Sequence, residues 1–110
     1  MIDFNLKSNL PEVQAELERR IANAATRCAN EMERHAKLRC PVDTGRLRNS
    51  VTTAVETEDD TATVYVGSNV EYAPHVELGT SRSEAQPFLK PAVADHQDAY
   101  ARIIRSELDG

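Results

Sequence analysis

Between Pro11 and Leu38 apolar residues recur every three or four positions: Val13, Leu17, Ile21, Ala24, Cys28, Met32, and then His35 or Ala36. That spacing draws one stripe down one side of an α-helix. Glu16, Glu18, Arg19, Arg20, Arg27, Glu31, Glu33 and Arg34 fall mostly outside it. Ser8 or Asn9 can cap the helix, and Pro11 suits its first turn. Continuous to Leu38, such a helix is about 40 Å long. That is long for a chain of 110 residues, so one end is expected to overhang the core or meet another subunit. A helix of this length dictates much of what the remaining residues can do: they must cover one stripe.

The stripe stops at a junction, Cys40-Pro41-Val42-Asp43-Thr44-Gly45-Arg46-Leu47-Arg48-Asn49-Ser50-Val51. Pro41 lacks an amide hydrogen and restricts the residue before it, so it ends the helix. Asp43 or Thr44 can cap a new short turn, with Gly45 supplying backbone freedom. Beyond it the period changes to two. Val51, Thr53 and Val55 alternate with polar neighbours, as do Ala62, Val64 and Val66, which predicts an antiparallel hairpin ending at Gly67-Ser68-Asn69. Glu56 to Asp60 is expected as its solvated acidic turn. Pro74 opens a short helix carrying Val76 and Leu78, closed by Gly79. Ser81 to Gln86 is expected as a polar, mobile loop. Pro87-Phe88-Leu89-Lys90-Pro91 is expected as an extended segment. Pro91 opens a final helix with a stripe of Val93, Gln97, Tyr100, Ile103 or Ile104, and Leu108. Residues 1–10 are an irregular arm or a short strand. The order gives one α+β domain over 1–110, in which a long N-terminal helix and a C-terminal helix pack on a small antiparallel sheet.

With 40% hydrophobic and 28% charged residues, this is the composition of a soluble globular chain. Three Tyr, two Phe and no Trp leave a core of aliphatic residues and alanine. No apolar run approaches the roughly 18 residues of a membrane span, and the N-terminus lacks a signal-peptide pattern, which points to synthesis in a cytosol. Cys28 and Cys40 would be about 18 Å apart on one helix, too far for a disulfide unless the chain folds back; reduced thiols are expected there.

Few patterns carry chemistry. Asp43-Thr44-Gly45 is the triplet of aspartic proteases, whose small members are dimers in which two carboxylates share a proton. A long charged helix leads into this triplet and Arg46 and Arg48 follow, so the carboxylate would stay ionised; a helix-capping turn accounts for it without catalysis. His35, His75 and His96, with Cys28, Cys40 or Glu77, lack the paired spacing of a metal site. The four glycines form no phosphate loop, and no cofactor is implied. Arg34, Lys37, Arg39, Arg46 and Arg48 form a basic cluster. It can face DNA, pair with Glu56 to Asp60 within or between chains, or be solvated. A net charge of -5 argues against a general nucleic-acid binder.

Three segments, taken in order and spacing, resemble a known family: Pro41 to Val51, Tyr72-Ala73-Pro74-His75-Val76-Glu77-Leu78-Gly79-Thr80, and Pro87-Phe88-Leu89-Lys90-Pro91-Ala92. It is that of small tail-completion, or head–tail joining, proteins of long-tailed bacteriophages and prophages, often called minor tail components. The resemblance spans roughly residues 11 to 108. His75 stands where an aromatic is common, and the Ser81 to Gln86 loop is short. The resemblance implies a non-enzymatic virion protein of the tail or neck, made in the bacterial host cytoplasm. It implies assembly as a ring, typically a hexamer, docked on tail-tube, tail-terminator or head-connector proteins, without membrane or sequence-specific nucleic acid as partner. An acidic lumen would let DNA slide. Asp43, Thr44, Gly45, Arg46, Arg48, Tyr72, Glu77, Gly79 and Phe88 are the candidate structural and interface residues, with no catalytic residue carried over. Arg46, Arg48, Tyr72 and Glu77 are the candidates for specific polar contacts, inside the fold or between subunits. The competing readings are an aspartyl-protease-like homodimer and a prophage DNA-binding regulator.

Overall fold

The computed structural model describes residues 3–5, 11–41, 45–59 and 61–109. Its elements are β1 (Asp3–Asn5), α1 (Pro11–Arg39), α2 (Arg46–Ser50), β2 (Thr52–Glu58), β3 (Thr61–Gly67), α3 (Ala73–Leu78), α4 (Leu89–Ala94) and α5 (Gln97–Asp109). The caps proposed at Ser8 or Asn9 lie outside the described residues.

Helix α1 is one unbroken rod of 29 residues, about 43 Å long by the usual rise. It sets the 57 × 23 × 21 Å extents of the molecule. Ile21, Ala24, Cys28, Met32 and Ala36 are buried as the periodicity requires, and Ala25 and Ala29 widen the stripe. Alanine on this face lets neighbouring elements approach closely. Val13 departs from expectation, being 44% exposed; the overhanging end is the N-terminal one. Pairs three or four residues apart, Glu16 with Arg19 and Arg20, Glu31 with Arg34 and Glu33 with Lys37, line the solvent side and add the usual small support to a helix surface.

The hairpin pairs Thr53 with Val66 and Val55 with Val64, while β1 adds to the other edge of β3, giving the order β1-β3-β2. Of the two readings of residues 1–10, a short strand is present at Asp3–Asn5. The acidic turn is shorter than expected. Glu56 and Glu58 belong to β2, and pairing continues to Glu58 opposite Thr61. Asp59 takes a positive φ of 52°, the left-handed conformation a two-residue hairpin turn needs and Asp tolerates.

The buried face of the sheet, Ala62 and Val64, meets α1 in a first cluster that Tyr100 of α5 completes. A second cluster joins Ala36 and Cys40 to Leu47, Val51, Val70, Ala73, Phe88 and Ala92, with Val66 packed against both clusters. Since Ala62 lies with Ile21 and Val51 lies with Ala36, the hairpin tip points to the N-terminal end of α1. Arg20 bonds the carbonyls of Glu107 and Leu108 at 3.5 and 3.0 Å, which places the end of α5 there too.

The C-terminal region corrects two expectations. Helix α4 starts at Leu89, so Pro91 is its third residue rather than its first, and Leu89-Lys90 is not extended. Proline is tolerated there because first-turn amides have no intrahelical acceptor. The final helix is also broken, with Asp95-His96 separating α4 from α5. Gln97 Nε2 donates to the Val93 carbonyl at 2.8 Å, replacing the backbone bond an unbroken helix would make there.

Candidate interaction surface

The three motif segments converge on the second cluster. Gly45 has φ 78° and is the cap residue of α2, the amide of Asn49 closing on its carbonyl at 2.9 Å. The caps expected at Asp43 and Thr44 lie outside the described residues, as does the carboxylate the protease reading needs. Leu47, one turn on, is buried in the cluster while Arg46 and Arg48 on either side are exposed.

Arg46 grips Glu71 with two bonds of 3.1 and 3.0 Å and lies 5.5 Å from the centre of the Tyr72 ring. Glu71 is held below the usual carboxylate range, first by a backbone hydrogen bond and then by Arg46. Both partners are solvent-exposed, so the pair orients side chains more than it stabilises the fold. Arg48 has no ion pair among the described residues. Glu71 was not singled out from sequence; the signal was its position beside Tyr72 on the loop facing the junction.

Glu77 is the most engaged of the candidates. Its Oε1 accepts from the amides of Phe88 and Leu89, both at 2.9 Å, and its Oε2 from Lys90 at 3.1 Å. It therefore caps α4 from α3, eleven to thirteen residues away, and takes the amides that a helix start leaves unmatched. Next to it, Gly79 has φ 80° and ψ 171°. A Cβ there would lie 2.7 Å from the Ala85 amide nitrogen. The loop expected to be mobile instead folds back on α3: Gln86 N–H donates to Val76 O at 2.8 Å, and Thr80 and Ser83 bond each other. Phe88 is fully buried in the second cluster, against which Val66 of β3 packs. Pro41, Tyr72, His75, Val76 and Thr80 line an open groove of about 290 Å³ above this cluster.

The reactive side chains lead elsewhere. His35 and His96 stack with ring centres 3.5 Å apart and planes within 3°, while His75 is exposed on α3. Among the described residues no three His, Cys, Asp or Glu side chains are grouped for a metal ion. Cys28 and Cys40 are buried free thiols. Burial pushes Cys28 up to about 11 and raises Cys40 as well, the opposite of what a nucleophile needs.

The basic cluster does not meet the acidic hairpin. Arg34, Lys37 and Arg46 pair with Glu31, Glu33 and Glu71. Arg39 and Arg48 have no ion pair among the described residues, and Glu56, Glu58 and Asp59 none at the far end. Glu12, Glu16 and Glu18 share that far end, with Glu16 held down to about 2 by Arg19 and then Arg20. The molecule is thus polarised along α1: the overhang is acidic, while the junction, where Arg34, Lys37 and Arg46 are already paired, presents Arg39 and Arg48.

No helix among the described residues is long and apolar enough to cross a membrane. Neither a curated protein nor a solved structure matches the chain. A family model does match it over residues 4–79, from β1 through the second motif to Gly79: the chain belongs to the HK97-gp10-like family of bacteriophage tail components.

Proposed function

We propose that this tail component completes the tail and joins it to the head by assembling as a ring, hexameric by resemblance, that docks on tail-tube, terminator or connector proteins without catalysis. The observation that carries the reading is the polarity of the molecule. Its acidic end and the end that presents Arg39 and Arg48 are separated along a 57 Å axis, and each keeps charges with no ion pair among the described residues. Such ends complement each other head to tail, a heterologous contact of the kind from which a ring is built when the rotation between copies closes. The virion is its place of action. A DNA-binding regulator has less support, because Glu71 already engages Arg46.

Light scattering at low and high salt, across protein concentration, tests this. A discrete ring-sized species that dissociates in salt is the expected result. A monomer throughout would discard the self-assembling ring, and a discrete two-fold dimer would replace the head-to-tail contact with an isologous one.

A further inference from the structure

The four large apolar side chains exposed among the described residues are Val13, Leu38, Tyr65 and Leu78. Tyr65 lies on the outer sheet face, where its hydroxyl donates to Glu56. The other three sit at the two ends of the molecule. Val13 is on the overhang, and with half-buried Leu17 it prolongs the stripe that Ile21 and Ala24 bury. Because α5 ends level with Arg20, the first turns of α1 run on past their neighbour. Leu38 and Leu78, 66% and 77% exposed, lie at the opposite end, on the last turns of α1 and α3. An apolar stripe kept beyond the chain's own core is a stripe that another molecule can cover.

We infer that the N-terminal turns of α1, through Val13 and Leu17, dock one copy of this chain onto the basic end of the next, against Leu38 and Leu78. Charge selects this occupant. Two overhangs brought together would oppose Glu12 and the hairpin's Glu58 and Asp59 with their own copies, whereas the other end offers Arg39 and Arg48. The inference rests on the ring reading and gives that contact its residues.

Separately prepared Val13→Cys, Leu78→Cys and Leu38→Cys variants, mixed in pairs and oxidised, test it directly. Native Cys28 and Cys40 are buried and do not compete. Val13→Cys should cross-link to Leu78→Cys or Leu38→Cys in the mixture, and neither partner should dimerise alone. A dimer of Val13→Cys alone would overturn the inference, since overhangs would then meet each other. An oligomeric wild type without a mixed cross-link would overturn the docking site and leave the ring. A wild type that is monomeric throughout would remove both. As a second readout, Val13→Glu should weaken association on the order of tenfold with an unchanged melting curve, because the site is exposed. Unchanged association in that variant would count against the overhang.

Discussion

Replacing Glu77 isolates the contact on which the second and third motifs depend. In Glu77→Ala the amides of Phe88, Leu89 and Lys90 lose their acceptor together. Losing a helix cap costs about 0.5–2 kcal/mol, and a hydrogen bond to a charged group contributes about 1.5–3 kcal/mol where water is excluded. Here the Lys90 amide faces solvent and can turn to water, while those of Phe88 and Leu89 are part-buried. Discounting accordingly gives about 2 kcal/mol for Glu77→Ala, or about 8 °C in a chain of this length. Glu77→Gln keeps one oxygen where Oε1 accepts two bonds, so about half that loss is expected. Glu84→Ala, exposed on the neighbouring loop, removes the same charge without the bonds and should stay within about 0.5 kcal/mol. Thermal melts by circular dichroism rank the three variants. A Glu77→Ala melting point within about 2 °C of wild type would refute the capping argument. So would an equal loss in Glu84→Ala, which would show that net charge alone is being measured.

Gly79→Ala should lower stability by more than about 2 kcal/mol, from backbone strain and collision with Ala85 together. Gly67→Ala, with nothing within 4 Å of the added carbon, should cost much less; equal melting points for the two would contradict the geometry. Desolvation, then His96 and Arg34, lower the pKa of His35, with Glu31 opposing. A base with a depressed folded pKa binds fewer protons folded than unfolded, so stability is full above the ordinary value of 6.5 and falls as pH drops through it toward the folded pKa. Melting temperature should therefore fall between about pH 7.5 and 5.5, and less steeply in His35→Gln. A slope unchanged by that substitution would assign the effect elsewhere.

The parts of the fold visible in sequence are those set by local periodicity. The stripe of α1 and the alternation of Val51 to Val55 and Ala62 to Val66 state which face turns inward. The structure buries that face from Ile21 to Ala36 and at Val51, Ala62 and Val64, leaves Thr53, Val55 and Val66 half-buried, and exposes Val13. What escaped reading is set by residues distant in sequence. Nothing between Pro91 and Leu108 is a helix breaker, yet the helix breaks at Asp95-His96, where His96 stacks on His35 sixty-one positions earlier. Helix α4 begins before Pro91 because Glu77 holds its first amides, an acceptor no window around the proline contains. The hairpin tip was misjudged for a related reason. Glutamate is a poor strand residue, but the register at Val55 and Val64 carries Glu56 and Glu58 along.

The same distinction separates the two kinds of candidate residue. Glu77, Gly79 and Phe88 could be singled out as motif positions, and each has a contact that only its own chemistry satisfies: three amides, a backbone at 2.7 Å, a closed cluster. Such residues specify the fold. The sequence offered the basic cluster and Glu56 to Asp60 as partners within or between chains; that the two lie at opposite ends follows only once the hairpin runs back along α1. On the proposed reading, partners meet the exposed residues of the two ends and not the buried cluster. Substitutions at Glu77, Gly79 or Phe88 should therefore lose stability and assembly together, whereas changes at Val13, Arg39, Arg48 or Leu78 should lose assembly at an unchanged melting point. A stable variant that fails to assemble would be found at the ends. If variants of Glu77, Gly79 or Phe88 instead failed to assemble while melting normally, those positions themselves would be the binding surface and the polarity incidental.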